Sequence, residues 1–103
     1  MMLNPELLNL IEKAKSLKAN QLHLIAGKKP VIRVEEKIRE IADEDVMHVR
    51  DIEEVMKGLL TNDECCQLQE DGYIVVEIQG QQDVTCHIAK SLGSYTLYFD
   101  ILS

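Results

Sequence analysis

The sequence predicts an α+β domain: an antiparallel sheet of about six strands with helices packed mainly on one face. Two observations carry that expectation. Segments with apolar residues at helical spacing carry capping signals at their starts, and they separate two groups of three short, alternating segments bounded by turn residues. A third sets the scale. The chain has 103 residues, 46% of them hydrophobic, which suits one core and leaves too little chain for a second.

The elements follow in order. Asn4-Pro5-Glu6 reads as a helix start, with Asn4 as N-cap, proline at the first helical position and an acid at the positive end of the dipole. Leu7, Leu8, Ile11 and Ala14 then fall on one face, predicting a helix from about Pro5 to Lys18. The period changes to two at Gln21, where Leu22, Leu24 and Ala26 alternate with Gln21, His23 and Ile25. Gly27 to Pro30 reads as a turn, Val31 to Glu35 as a second strand, Glu35-Glu36 as a tight reversal and Lys37 to Ile41 as a third strand. An acidic connection, Asp43 to Val46, leads to the clearest helix, Val49 to Leu60. Its Ile52, Val55, Met56, Leu59 and Leu60 form one continuous stripe.

Thr61-Asn-Asp-Glu64 matches a capping box and opens a short third helix that ends at Gly72. Tyr73 to Gln79, Asp83 to Lys90 and Tyr95 to Leu102 then read as a meander, with turns at Gly80-Gln-Gln82 and Leu92-Gly-Ser94. In its middle strand Val84, Cys86 and Ile88 point one way and Asp83, Thr85 and His87 the other. The order is α-βββ-α-α-βββ, with no repeat, linker or low-complexity segment.

Composition narrows the function. Eleven basic against 18 acidic side chains leave a net charge of −7, a field that repels nucleic acid and anionic membrane surfaces. No apolar run approaches a membrane span, and residues 1–10 lack the pattern of a secretory signal, so no membrane insertion is expected. Three cysteines, an odd number, fit reduced thiols and a cytoplasmic location.

Motifs for chemistry fail on spacing. Gly27-Lys28-Lys29 follows a strand as phosphate loops do, but Pro30 and another strand come next. It has no second glycine, no hydroxyl for a metal and no helix N-terminus. His23, His48, His87, Cys65, Cys66 and Cys86 could ligate zinc, yet none forms a C-x-x-C or H-x-x-x-H pair. Cys86 and His87 are strand neighbours and project apart, so the imidazole cannot activate that thiol. Paired carboxylates such as Glu35-Glu36 and Glu53-Glu54 read as solvated turns and helix faces. The expectation is no enzyme, no metal and no cofactor.

One stretch does resemble a known family. Ala19-Asn-Gln-Leu-His-Leu-Ile-Ala-Gly-Lys-Lys-Pro-Val-Ile-Arg-Val34 is similar to the A-S-D-L-H-L-x-x-G-x-P-P-x-x-R-V segment of PilT/GspE-like ATPases of type IV pili and type II secretion. Leu22, His23, Leu24, Gly27, Pro30, Arg33 and Val34 match. The amphipathic helix ending in Leu59-Leu60-Thr61 and the three closing strands fall in the family's order. The resemblance implies a PAS-like, non-catalytic N-terminal domain over residues 1–103, without the RecA-like ATPase domain that carries the family's Walker A and B motifs. Its implied partners are that RecA-like domain or other pilus and secretion subunits.

Departures from the family pattern indicate where an interface would lie. Asp83, Val84, Thr85, Cys86 and His87 stand where the family has a basic Arg-x-Arg-Val-Asn strand facing the neighbouring ATPase domain, and Asp100 replaces an Arg. The interface residues the resemblance implies are therefore Arg33, Asp83, Thr85, His87 and Asp100. Besides twitching-motility or secretion packing, the resemblance leaves open a stand-alone regulator or a sensor of a small ligand such as a cyclic dinucleotide.

Overall fold

The computed structural model describes residues 4–78, 80–91 and 93–102. The elements are α1 (Pro5–Ser16), β1 (Gln21–Ile25), β2 (Val31–Val34), β3 (Lys37–Glu40), α2 (Val49–Leu59), α3 (Asn62–Asp71), β4 (Tyr73–Ile78), β5 (Gln81–Ser91) and β6 (Ser94–Ile101). The order α-βββ-α-α-βββ stands as the sequence predicts. The strands form one sheet in the order β3-β2-β1-β6-β5-β4, and every neighbouring pair is antiparallel.

Helix α1 starts as read. Asn4 Oδ1 accepts from the Glu6 N–H at 2.8 Å, with Pro5 in the first turn. It stops at Ser16, two residues short of the expected end, because Lys18 takes the left-handed region at φ 61°. The Ala19 N–H then bonds back to the Ala14 carbonyl at 2.9 Å and the Lys18 N–H to Lys15 at 3.0 Å. This is a Schellman closure with lysine where glycine is usual. A second non-glycine residue with positive φ, Glu35 at 58°, turns β2 into β3, whose closing pair is Val34 with Lys37. Its carbonyl accepts from Arg33 Nε at 3.2 Å and Asn20 Nδ2 at 3.4 Å.

Left-handed backbone costs a side-chain-bearing residue about 1 kcal/mol, which glycine does not incur. Lys18→Gly and Glu35→Gly are therefore each expected to raise the unfolding free energy by about 0.5–1 kcal/mol, read as a higher urea midpoint at unchanged slope.

The capping box of α3 is present in full: the Glu64 N–H donates to Thr61 Oγ1 at 3.2 Å, and the Thr61 N–H donates to Glu64 Oε1 at 2.9 Å. Gly72 ends the helix in the left-handed region at φ 77°, its N–H bonded to the Leu68 carbonyl. For α2, the carboxylate of Asp51 accepts from the N–H of His48 at 2.9 Å.

Two turns are tighter than the sequence suggests. Gln81 and Gln82 belong to β5 rather than to a turn, and Ser94 pairs with Ser91 as the first residue of β6. The expected strand end Gln79 and the expected turn residue Leu92 lie outside the described residues.

All three helices contribute to one buried cluster. Leu7, Leu10, Ile11 and Ala14 from α1, Ile52, Val55 and Met56 from α2, and Leu68 from α3 meet the inward row of the sheet. That row includes Leu22, Leu24, Ile32, Ile74, Val76, Val84, Cys86, Ile88, Leu97 and Phe99. Alternation then sends the other row of each strand away from the helices. The helices leave that opposite face of the sheet open.

Candidate protein-interaction surface

The outward residues are aligned by register. Val75, His87, Tyr98, His23 and Val31 form one cross-strand row over β4, β5, β6, β1 and β2. Glu77, Thr85, Asp100, Gln21 and Arg33 form the next. Rings stack along the first row. His87 and Tyr98 are nearly parallel, 4° apart with centroids at 4.3 Å, and Tyr98 lies 5.7 Å from His23. Tyr73 flanks His87 on the other side at 6.1 Å. Cross-strand aromatic contacts of this kind stabilise a sheet by a few tenths to about 1 kcal/mol each.

A hydrogen-bonded chain runs through both rows. Tyr73 Oη lies 2.6 Å from His87 Nδ1, and His87 Nε2 lies 3.0 Å from Asp100 Oδ2. Gln21 Nε2 donates to Asp100 Oδ1 at 3.0 Å, and Gln21 Oε1 lies 3.1 Å from His23 Nε2. The proton positions follow from Asp100. An ionised carboxylate only accepts, so His87 holds its proton on Nε2 and its Nδ1 accepts from the Tyr73 hydroxyl. Gln21 spends its amide on Asp100, so its carbonyl takes the Nε2–H of His23. The chain runs unbroken across four strands, from Tyr73 to His23.

Both ring nitrogens of His87 are thereby occupied, which leaves no free lone pair to take a substrate's proton. No group of three or more His, Cys, Asp or Glu side chains able to hold a metal ion occurs among the described residues. The arrangement is a satisfied polar patch framed by exposed apolar side chains: Ile38 at 68%, Val75 at 46% and Tyr73 at 44% of full exposure. Such a surface suits contact with another protein.

Of the residues expected at an interface, Thr85, His87 and Asp100 sit together at the middle of this face, with Arg33 on the same row two strands away. Asp83 is drawn elsewhere. Lys15 of α1 holds its carboxylate at 2.9 Å and keeps its pKa below the ordinary carboxylate value. Tyr73, His23, Gln21 and Tyr98 complete the patch. Strand parity marks them as outward; the β4–β5 and β5–β6 hairpins set Tyr73 and Tyr98 beside His87, and only the pairing of β1 with β6 adds His23 and Gln21.

Burial pushes the pKa of His23 below the ordinary imidazole value, with Arg33 adding to the effect and Asp100 opposing it. The folded chain thus resists a proton that the unfolded chain accepts. As pH falls below the ordinary imidazole value of about 6.5, this residue costs stability, and above it the residue is neutral in both states. Urea unfolding at pH 7.5 and 5.0 should show a smaller acid loss in His23→Gln than in the parent chain. Burial also pushes the Cys86 thiol up, whereas Cys65 and Cys66 are exposed. A thiol reagent is expected to label Cys65 and Cys66 in the native protein, and Cys86 only in denaturant.

The pilus retraction motor PilT, crystallised with bound ADP, superposes with a TM-score of 0.81 over 93% of this chain at 20% identity. The chain has a fold found in PilT. The Legionella pneumophila ATPase DotB superposes over 100% of the chain, with a TM-score of 0.71 at 14% identity. This chain spans 29% of the PilT chain and 30% of the DotB chain, under a third of either. No protein-family model and no curated protein sequence matches it. The family that the sequence resembles includes PilT, whose fold this chain shares. Among the described residues no helix is long and apolar enough to cross a membrane.

Proposed function

We propose that this chain is a non-catalytic, N-terminal-type domain of a pilus-retraction or secretion ATPase, and that it docks through the open face of its sheet. The observation that carries the reading is the superposition on PilT over 93% of the chain. The occupant of the face is the RecA-like ATPase domain, in the same chain or in a neighbouring subunit. Arg33 supplies a cation and Asp100 and Glu77 supply anions on a surface that also carries rings, hydroxyls, the Gln21 amide and aliphatic side chains. The domain then moves as a rigid body while the ATPase domain hydrolyses.

Calorimetric titration of the chain into the ATPase domain encoded with it tests this. Binding on the order of micromolar is expected. Thr85→Arg, at the centre of the face, should weaken it at least tenfold, and Lys57→Glu on the outer side of α2 should leave it unchanged. Absence of binding, or binding indifferent to Thr85→Arg and Arg33→Glu, would overturn the reading.

A further inference from the structure

The two edges of the sheet are built differently. At one edge, β3 carries Lys37, Arg39 and Glu40 within four residues. Charges of this density keep a second strand from adding. At the other edge, β4 reads Tyr73-Ile-Val-Val-Glu-Ile78, with one charge, no lysine and no proline. Its register shift lies at the far end, between Glu77 and Ile78, leaving the rest of the strand regular.

The ladder fixes which backbone groups that edge exposes. The Lys90 N–H bonds to the Gly72 carbonyl at 2.9 Å, and Ile74 and Val76 stand opposite Ile88 and Cys86. Alternation turns the N–H and C=O of Gly72, Ile74 and Val76 toward β5. Those of Tyr73, Val75 and Glu77 consequently project from the free edge. No other strand pairs with them among the described residues.

We propose that β4 is a homodimerisation edge, on which a second copy of this chain adds its own β4 antiparallel about a two-fold axis at Val75. The three outward residues are symmetric about Val75, so one axis pairs all of them. Val75 meets Val75 of the second copy, and each Tyr73 meets a Glu77. Each such pair exchanges two main-chain bonds, roughly six in all. The register also separates the only charges on the strand. The two Glu77 carboxylates go to opposite ends, about 13 Å apart at the strand rise, beyond a Debye length at physiological salt. A parallel, in-register partner would set them side by side. The exposed Val75 and Tyr73 side chains gain cross-strand neighbours, and the open face continues unbroken across both copies.

Helix α3, which packs under β4, carries Asp63, Glu64, Glu70 and Asp71 and no base. Two such helices on one side of the joined sheet repel, so the dimer is expected to tighten as salt rises. This inference does not rest on the docking reading, because it is measured on the chain alone.

Sedimentation equilibrium across roughly three decades of concentration should give a monomer–dimer equilibrium, stronger at high salt. Val75→Pro removes an N–H that faces out of the sheet and so spares the β4–β5 ladder. Val75→Lys places a charge on the axis. Each should raise the dissociation constant at least tenfold. Circular dichroism and the urea midpoint report whether each variant is folded, and if Val75→Pro unfolds, Val75→Lys decides. A chain that stays monomeric at the highest concentration, or a dimer that persists in a folded Val75→Lys, would overturn the proposal.

Discussion

Phe99→Ala is expected to remove about 3–5 kcal/mol of unfolding free energy, the largest loss of any single truncation in this chain. Phe99 is fully buried on β6, between Leu22 of β1 and Cys86 of β5. It is the only phenylalanine and there is no tryptophan, and the partly buried Tyr95 is the other ring that the described residues pack against this core. Domains of this size are stable by about 5–15 kcal/mol in total, so the loss is between roughly a fifth and all of that margin. Urea unfolding monitored by circular dichroism reads the result as a midpoint several molar lower. A loss below about 1 kcal/mol would mean that the core on this side of the sheet refills the space.

Asp100→Ala should cost about 1–2 kcal/mol, because it strips the acceptor from His87 Nε2–H and Gln21 Nε2–H together. Water can reach the half-exposed carboxylate position, which keeps the loss below that of a fully buried acceptor. Asp100→Asn is more informative. Its single oxygen can accept from Gln21, while its amide then faces His87 as a donor. In that orientation the imidazole moves its proton to Nδ1 and donates to Tyr73 Oη. Nitrogen NMR of the ring is therefore expected to report the Nε2–H tautomer in the parent and the Nδ1–H tautomer in Asp100→Asn, at a smaller stability cost than alanine. If the introduced amide and Gln21 turn instead, His87 keeps its proton on Nε2 and His23 shifts its own, so unchanged tautomers at both imidazoles would refute the direction assigned to this chain of hydrogen bonds.

Local chemistry was readable from the sequence wherever a side chain announces its own geometry. Thr61 with Glu64 and Gly72 define α3 at both ends, and Asn4-Pro5 starts α1. The end of α1 was less readable because Lys18 occupies a backbone region that glycine normally marks. The start of β5 was hidden for a related reason: two glutamines carry no strand signal, and the strand begins where Gln81 pairs with Ile78 of β4. At the candidate surface, parity alone gave the outward direction of Thr85, His87 and Gln21. The chain of hydrogen bonds from Tyr73 to His23 depends on strand order, which no local pattern encodes. Asp83 shows the converse. Its strand parity matches that of Thr85, but a lysine from α1 captures it.

The junction between β1 and β6 has one more consequence. It joins the first α-βββ unit to the second, and the Gln21–Asp100 bond across it links residues 79 positions apart. The other strand pairs close through hairpins, which form in microseconds, whereas this seam must wait for a loop of most of the chain to close. Folding is therefore expected to be slow for so small a domain, limited by an event at the centre of the sheet rather than at its rim. Until that seam zips, the two half-sheets each present a bare edge. A nascent or unfolding chain is then most open to mispairing at the very strands that are best covered in the finished protein.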